Sequence, residues 1–113
     1  MTMTKINVLG TEYTITYANE TEDELLETCD GYCDMTVKRI VIAAKREDCE
    51  LVNYEWLRRK VLRHEIIHAF LIESGVHVCY EPHEDHGHDE FIVDWIAIQF
   101  PKLLAAFKEA EAL

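Results

Sequence analysis

The segment His64-Glu65-Ile66-Ile67-His68 places two histidines four residues apart, with a glutamate directly after the first. On a helix, side chains four residues apart project from the same face, one turn above the other. Two imidazoles in that arrangement can bind one Zn²⁺, and the carboxylate of Glu65 can reach a water held by the ion. The segment therefore predicts hydrolytic chemistry, with Glu65 as the general base that activates the zinc-bound water.

The residues around this motif favour a binding site over two solvated histidines. Six apolar residues lie in the same turns of the predicted helix: Val61, Leu62, Ile66, Ile67, Phe70 and Leu71. Polar groups embedded in such a surface need a partner, because an unpaired polar group is costly to remove from water. A bound metal ion would provide that partner.

A second segment, Glu90-Phe91-Ile92-Val93-Asp94, provides carboxylates for the remaining positions of the site. Asp94 lies inside an apolar run, where an unpaired carboxylate would cost several kcal/mol. A zinc-bound histidine needs an acceptor for its other ring N–H, and a catalytic zinc needs a third protein ligand. We expect Glu90 to be that ligand and Asp94 to orient a ligand histidine.

Residues 81–89 form a polar stretch rich in histidine and carboxylates, and three interpretations of it stay open. It can be a solvated loop, it can supply His86 or His88 as the third ligand in place of Glu90, or it can hold a second metal. Elemental analysis of Glu90→Ala and His86→Ala variants separates the first two.

The elements expected to position these residues form an α+β domain spanning residues 1–113. The pattern predicts a small antiparallel or mixed sheet packed against a long helix that carries the motif and a C-terminal helix. Its parts are a hairpin over 5–18, a short helix over 19–28 capped by Asn19 or Thr21, a turn at Asp30-Gly31, a third strand over 37–44, a helix from Asp48 to about Ser74, an extended piece over 76–80, and a last helix over 89–110 that Pro101 kinks or splits.

His64-Glu65-Ile66-Ile67-His68 followed by Glu90-Phe91-Ile92-Val93-Asp94 resembles the gluzincin branch of the zincin metallopeptidases, which includes the thermolysin-like peptidases. The resemblance covers about residues 60–98, and the small size is similar to compact zincin-like proteins of phages and mobile elements. It implies a zincin-like fold and a Zn²⁺ cofactor held by His64, His68 and Glu90. It also implies Glu65 as the catalytic base, Asp94 as the residue that orients a ligand, and a peptide or protein substrate.

The chain departs from the pattern of the larger gluzincins in ways that bear on activity. Leu71 and Ser74 stand where the metzincin pattern has a glycine and a third histidine, and there is no second lobe to form a substrate cleft. No residue is assigned to stabilise the oxyanion; the candidates by position in the sequence are His77, Tyr80, His83, His86 and His88. The substrate is expected to enter beside the long helix, with the strand over 37–44 as the edge that pairs with its backbone.

Two other functions compete with the peptidase hypothesis. A catalytically silent zinc-binding structural or interaction protein would keep the metal for folding, since a bound ion can contribute much of the stability of a small domain. An acidic inhibitor that imitates DNA would instead bind a DNA-binding protein with strong salt dependence, regardless of metal.

Composition bounds the partners. The 113 residues are 49% apolar and include eleven Lys and Arg against 22 Asp and Glu, a formal net charge of −11. Such a chain is repelled by nucleic-acid phosphates and anionic membranes. The segment 1–10 lacks the pattern of a secretory signal, and no apolar run is long enough to span a membrane. We therefore expect a cytoplasmic protein whose four cysteines (Cys29, Cys33, Cys49 and Cys79) are reduced thiols.

Two further groups of residues on the predicted helices allow two interpretations each. Tyr54, Trp56 and Trp95 are expected to be core residues instead of a binding stripe. The basic residues Arg58, Arg59, Lys60 and Arg63 form either a solvated helix face or a docking surface for a carboxylate.

Overall fold

The computed structural model describes residues 3–76 and 90–113, and of residues 90, 91, 93, 94 and 97 it describes the backbone alone. Four strands and two long helices make up this part of the chain, as the predicted α+β class requires. In chain order they are β1 (Met3–Val8), β2 (Thr11–Ala18), a short 3-10 helix (Glu24–Glu27), β3 (Gly31–Asp34), β4 (Arg39–Ala43), α1 (Tyr54–Glu73) and α2 (Glu90–Glu109).

The four strands form one mixed sheet in the order β1-β2-β4-β3. The predicted hairpin is confirmed: β1 and β2 pair antiparallel around Leu9 and Gly10, whose φ angles of 53° and 94° suit a two-residue hairpin turn. The side chain of Asn7 accepts a hydrogen bond from the Gly10 N–H at 2.7 Å. β2 pairs parallel with β4, and β4 pairs antiparallel with β3.

The strand predicted over 37–44 is observed as β4, but its expected place at the edge of the sheet is wrong. β4 lies between β2 and β3, and Ile40 to Ala43 are all buried. A strand covered on both faces has consecutive buried residues instead of alternating ones. The edge strands are β1 and β3. β3 has only four residues, and the sequence does not predict it because Asp30-Gly31 is typical of a turn.

The main core lies between the sheet and the two helices. From the sheet it receives Ile6, Val8, Tyr13, Ile15, Ile40 and Ile42, and from the helices Leu62, Ile66, Ala69, Phe70, Trp95, Leu103 and Ala106. A smaller cluster on the opposite face of the sheet joins Leu26 of the 3-10 helix to Ala18, Val41 and Ala43. Both faces of the sheet are therefore covered, and α1 lies on the face of the larger core.

Helix α1 ends as predicted but begins later than expected. Its N-cap is Asn53, whose side chain accepts the Trp56 N–H at 3.2 Å, so Asp48 is not the cap. It closes at Ser74 and Gly75, and the glycine takes the positive φ of 84° that ends many helices. α2 runs through Pro101 as one helix, so Pro101 does not split it. No helix in the described ranges has both the length and the apolar character needed to cross a bilayer.

The helix predicted over 19–28 is reduced to the 3-10 helix, and its cap is Asp23. The side chain of Asn19 accepts the N–H groups of Thr21 and Glu22 and so closes a turn. That local hydrogen bonding competes with an α-helix at the same residues. Asp23 then accepts from the Leu25 N–H at 3.1 Å and starts the shorter element.

Candidate functional site

The two histidines lie side by side on α1, as their spacing predicts. Their Nε2 atoms are 3.1 Å apart, and their ring centroids are 4.8 Å apart with the planes at 71°. Both side chains are exposed, His64 by 65%. Either ring can donate a hydrogen bond to the other when one Nε2 is protonated, and a cation can bind both when neither is.

The separation of these nitrogens suits a zinc ion. Two imidazole nitrogens on a tetrahedral zinc at about 2.05 Å each lie about 3.3 Å apart. The Nε2 atoms of His64 and His68 are within about 0.2 Å of that separation. The donor types and the spacing of this pair therefore fit zinc.

Glu65 differs from the histidines in being buried, with 7% of its surface exposed. Its Oε2 lies 4.0 Å from Nε2 of His64. Burial raises the pKa of the Glu65 carboxyl above its ordinary value, because removal from water disfavours the charged form, while the nearby imidazoles act in the opposite direction. The site thus joins two exposed nitrogens to one carboxylate with an increased affinity for a proton.

The free edge of β3 offers main-chain hydrogen-bonding groups beside α1. Ala43 donates its N–H to the carbonyl of Asp30 at 2.9 Å, so these two residues form a hydrogen-bonded pair. The next hydrogen-bonded pair along β3 and β4 is then Tyr32 with Val41. Residues alternate along such a strand, so the N–H and C=O groups of Gly31 and Cys33 point away from β4. In the described ranges no other strand pairs with that edge.

Helix α1 approaches this edge closely at Gly31. A Cβ built on Gly31 would lie 3.0 Å from both Ile42 Cδ1 and Val61 Cγ1, and 3.1 Å from the Val41 carbonyl oxygen. Cys33 is the next residue whose main-chain groups point away from β4, and its side chain packs against the main core. Burial raises the pKa of the Cys33 thiol to about 11, and the charge of Glu65 adds to the shift. The edge strand therefore runs beside the candidate base.

A cavity of about 180 Å³ opens next to this contact. The cavity is lined by Ile42 and Val61, the two side chains that a Cβ on Gly31 would touch. Leu57, one turn earlier on α1, also lines it. The rest of its wall comes from Asp30, Ala43, Ala44, Arg46, Asp48, Cys49, Glu50, Leu51, Tyr54 and Arg58. Leu57, Val61 and Glu65 follow one another at four-residue spacing on one face of α1. The cavity lies against this face and ends at Val61, one turn before Glu65.

The predicted third ligand and its neighbours are described only in part. Glu90 and Asp94 lie in the first turns of α2, as predicted, but their side chains are outside the described set. The same holds for residues 77–89, which include His77, Tyr80, His83, His86 and His88. Among the side chains that are described, no three His, Cys, Asp or Glu residues are grouped for metal binding. The choice between Glu90 and a histidine therefore stays a prediction.

Helix α2 is anchored to the end of α1 near the motif. Trp95 is 9% exposed, and its Nε1 donates to Ser74 Oγ at 3.4 Å. Ser74 is six residues after His68, at the C-cap of α1, and Trp95 is the residue directly after Asp94 on α2. The hydrogen bond holds Trp95 beside the C-terminal end of α1.

The aromatic and cysteine predictions have mixed outcomes. Trp95 is a core residue and Tyr54 is half-buried, but Trp56 is 61% exposed, so its assignment to the core is wrong. Cys29, Cys33 and Cys49 are free thiols, as expected, and Cys79 lies outside the described residues. Cys29 and Cys33 pack on opposite faces of the sheet, which separates them as a ligand pair.

The sequence pattern predicts that His64, His68 and Glu65 lie together, as the structure has them, but it does not predict the edge strand β3 or the cavity. The signal for β3 was the short run Gly31-Tyr32-Cys33 before a charged turn, which is too short to outweigh the turn propensity of Asp30-Gly31. No protein-family model, curated protein or solved structure matches the chain. Its functional assignment therefore depends on the geometry of these residues.

Proposed function

We propose that this chain is a zinc-dependent peptidase with a minimal zincin-like fold, in which His64 and His68 hold the metal and Glu65 is the general base. The observation that carries the proposal is the pair of Nε2 atoms 3.1 Å apart beside a carboxylate that is 7% exposed. Two solvated histidines would not need a buried carboxylate next to them, whereas hydrolysis needs a base near its metal ligands.

The division of labour follows from the residues. When bound, zinc would polarise the substrate carbonyl and make water easier to deprotonate. Glu65 takes a proton from the attacking water and returns it to the leaving amine, a role that suits a carboxyl whose pKa is raised by burial. Glu90 is the proposed third ligand, and Asp94 is proposed to accept the ring N–H of a ligand histidine.

The substrate is proposed to be an extended peptide segment that pairs with the free edge of β3. Gly31 and Cys33 offer outward N–H and C=O groups, which can hydrogen-bond an added strand. The cavity beside Val61 would take an apolar side chain of that segment, because Ile42 and Leu57 make its wall largely apolar. This replaces the strand over 37–44 as the pairing edge.

The decisive experiment combines metal content with peptide cleavage. Purified protein is analysed for bound metals and incubated with a proteome-derived peptide library, whose new termini are identified by mass spectrometry. We expect bound zinc and cleavage in the wild type, and loss of the metal in His64→Ala/His68→Ala. Glu65→Gln should keep the metal and lose at least about a hundredfold in rate, because a general base contributes that much.

Glu109→Gln is the matched control, since it makes the same chemical change at an exposed position of α2. Its metal content and cleavage should equal those of the wild type. Cleavage that survives Glu65→Gln, or wild-type protein that binds no metal, contradicts the proposal. Bound zinc that is needed for folding, with no peptide ever cut, would favour the silent zinc-binding protein instead.

A further inference from the structure

The outward surface of α1 before the histidines carries an exposed tryptophan and two cations. We call Trp56, Arg59 and Lys60 the basic–aromatic face. Trp56 is 61% exposed, the Nζ of Lys60 lies 5.8 Å from the centroid of its indole ring, and Arg59 is exposed. At 3.6 residues per turn these three positions fall within an arc of about 100° on the helix.

Within the described part of the chain, no carboxylate pairs with either cation of this face, Arg59 or Lys60. The neighbouring arginines are engaged: Arg58 donates to the Glu55 carboxylate and to the Tyr17 hydroxyl, and Arg63 donates to the carbonyl of Ala112. With respect to the residues that the structure describes, Arg59 and Lys60 are therefore open to an anion.

Exposed apolar residues occur in the same part of the chain. Leu51 and Val52, five and four residues before Trp56, are also exposed. Tryptophan and arginine are the residues that most often dominate the binding energy of an interface. The basic–aromatic face is therefore suited to a ligand that has both carboxylates and an apolar side chain.

We propose that the basic–aromatic face binds an acidic segment of a partner protein, with carboxylates on Arg59 and Lys60 and an apolar side chain against Trp56. Charge selects this occupant. The chain as a whole has a net charge of −11, but its field is screened over about 8 Å at physiological salt. A short acidic segment can be held locally, whereas a long nucleic acid would extend over the negative remainder of the surface.

The position of this face gives it a role in substrate choice, and that role rests on the proposed peptidase function. Lys60 precedes His64 by four residues and Trp56 precedes it by eight, which correspond to about 6 and 12 Å along the helix axis. An extended peptide advances about 3.3 Å per residue. If the peptide extends along α1 towards its N-terminus, an acidic residue about two positions from the cleaved bond would lie level with Lys60, and one about four positions away would lie level with Trp56.

The binding test uses Glu65→Gln protein, so that the probe is not cut. The probe is a fluorescein-labelled twelve-residue peptide of glutamates around one phenylalanine, and its binding is followed by fluorescence anisotropy at several NaCl concentrations. We expect binding that weakens with salt. Adding Arg59→Glu/Lys60→Glu should raise the Kd at least about tenfold, because two attractive contacts become repulsive, and adding Trp56→Ala should also raise it.

Matched controls keep the result interpretable. Lys102→Glu/Lys108→Glu makes the same change of net charge at exposed positions of α2 and should leave the Kd unchanged. Circular dichroism checks that each variant is folded, and Arg59→Gln/Lys60→Gln repeats the test without adding negative charge. A glutamine version of the peptide should bind at least about tenfold more weakly.

Three outcomes overturn the inference: equal loss of binding in the α2 control, equal binding of the glutamine peptide, or tighter binding of a twelve-nucleotide oligothymidine. Self-association of the protein that the peptide fails to displace in sedimentation overturns it as well. The peptidase proposal fails separately. Peptide binding without any cleavage leaves this inference standing, and cleavage that is indifferent to nearby acidic residues removes its role in substrate choice.

Discussion

At the scale of single residues, packing gives Glu65 a different exposure to solvent from that of His64 and His68. The carboxylate is buried while His64 and His68 are exposed, although all three lie within five residues of one helix. Burial raises the pKa of Glu65, and a carboxyl with a raised pKa accepts a proton from water more readily. The pairing of an exposed ligand pair with a buried base is what the proposed hydrolysis requires.

Gly31 is the residue where a small change tests the spacing between the helix and the edge strand. Gly31→Ala places a methyl group 3.0 Å from Val61 Cγ1 and 3.1 Å from the Val41 carbonyl oxygen. We expect a loss of about 1–3 kcal/mol in the free energy of unfolding, because overpacking forces α1 away from the sheet. Urea denaturation followed by circular dichroism measures it.

Val61→Ala provides the control for this prediction, since it removes the methyl group that the new side chain would meet. In the Val61→Ala background, Gly31→Ala should cost less than in the wild type, a coupling that a double-mutant cycle detects. An equal cost in both backgrounds, or no cost in either, would show that the close approach does not constrain α1.

At the scale of elements, the last turn of α1 is fixed to the sheet by one carboxylate. Glu73 accepts hydrogen bonds from the buried Tyr13 hydroxyl of β2 at 2.8 Å and from Lys38 Nζ in the β3–β4 turn at 2.9 Å. The side chain of Glu73 is 13% exposed. The hydrogen bond from Lys38 lowers the pKa of Glu73 most, the one from Tyr13 also lowers it, and partial desolvation opposes both.

Glu73→Gln should destabilise the fold by about 1–3 kcal/mol at pH 7, as expected for hydrogen bonds to a charged group. The folded pKa lies below the ordinary 4.5, so the contribution of the carboxylate is present above pH 4.5 and is lost as the pH falls through the folded pKa. The difference in unfolding free energy between wild type and variant should therefore shrink in acid.

Glu12→Gln is the comparison for Glu73→Gln, because Glu12 faces Lys5 across the hairpin at 3.6 Å with both side chains largely exposed. An exposed pair of this kind contributes about 0–1 kcal/mol. Thermal or urea unfolding of both variants from pH 3 to 8 provides the test. Equal effects of the two changes, or a Glu73→Gln effect that grows in acid, would contradict the prediction.

At the scale of the whole molecule, the protein has a large negative net charge but also a local group of cations on α1. The excess of eleven acidic residues works against compaction through mutual repulsion. One exposed acidic stretch, Glu20 to Asp30, lies over the face of the sheet opposite α1, where Leu26 is its buried anchor. The cations Arg59 and Lys60 lie on α1, which packs against the other face of the sheet.

Screening should therefore stabilise the protein. The melting temperature should rise by a few degrees between low salt and about 0.3 M NaCl, because salt weakens repulsion among exposed carboxylates. Differential scanning fluorimetry measures it. Glu24→Gln/Glu27→Gln removes two exposed charges and should reduce the increase, whereas a melting temperature that falls with salt would mean that attractive pairs dominate.

The sequence by itself determined the features that depend on local periodicity. Alternating apolar residues predicted the hairpin of β1 and β2. The four-residue spacing of His64 and His68 predicted a shared helix face, and Glu90 and Asp94 were correctly placed on a second helix. In each case the backbone conformation depends on neighbours within about four residues, so the local sequence is enough to predict it.

Tertiary structure alone decided the order of the strands, the parallel pairing of β2 with β4, and the free edge at Gly31 and Cys33. These depend on hydrogen bonds between segments far apart in sequence, and short strands have no local signal that names their neighbours. The burial of Glu65 and the exposure of Trp56 belong with them. Which side of a helix meets the sheet depends on what packs against it, and not on the helix alone.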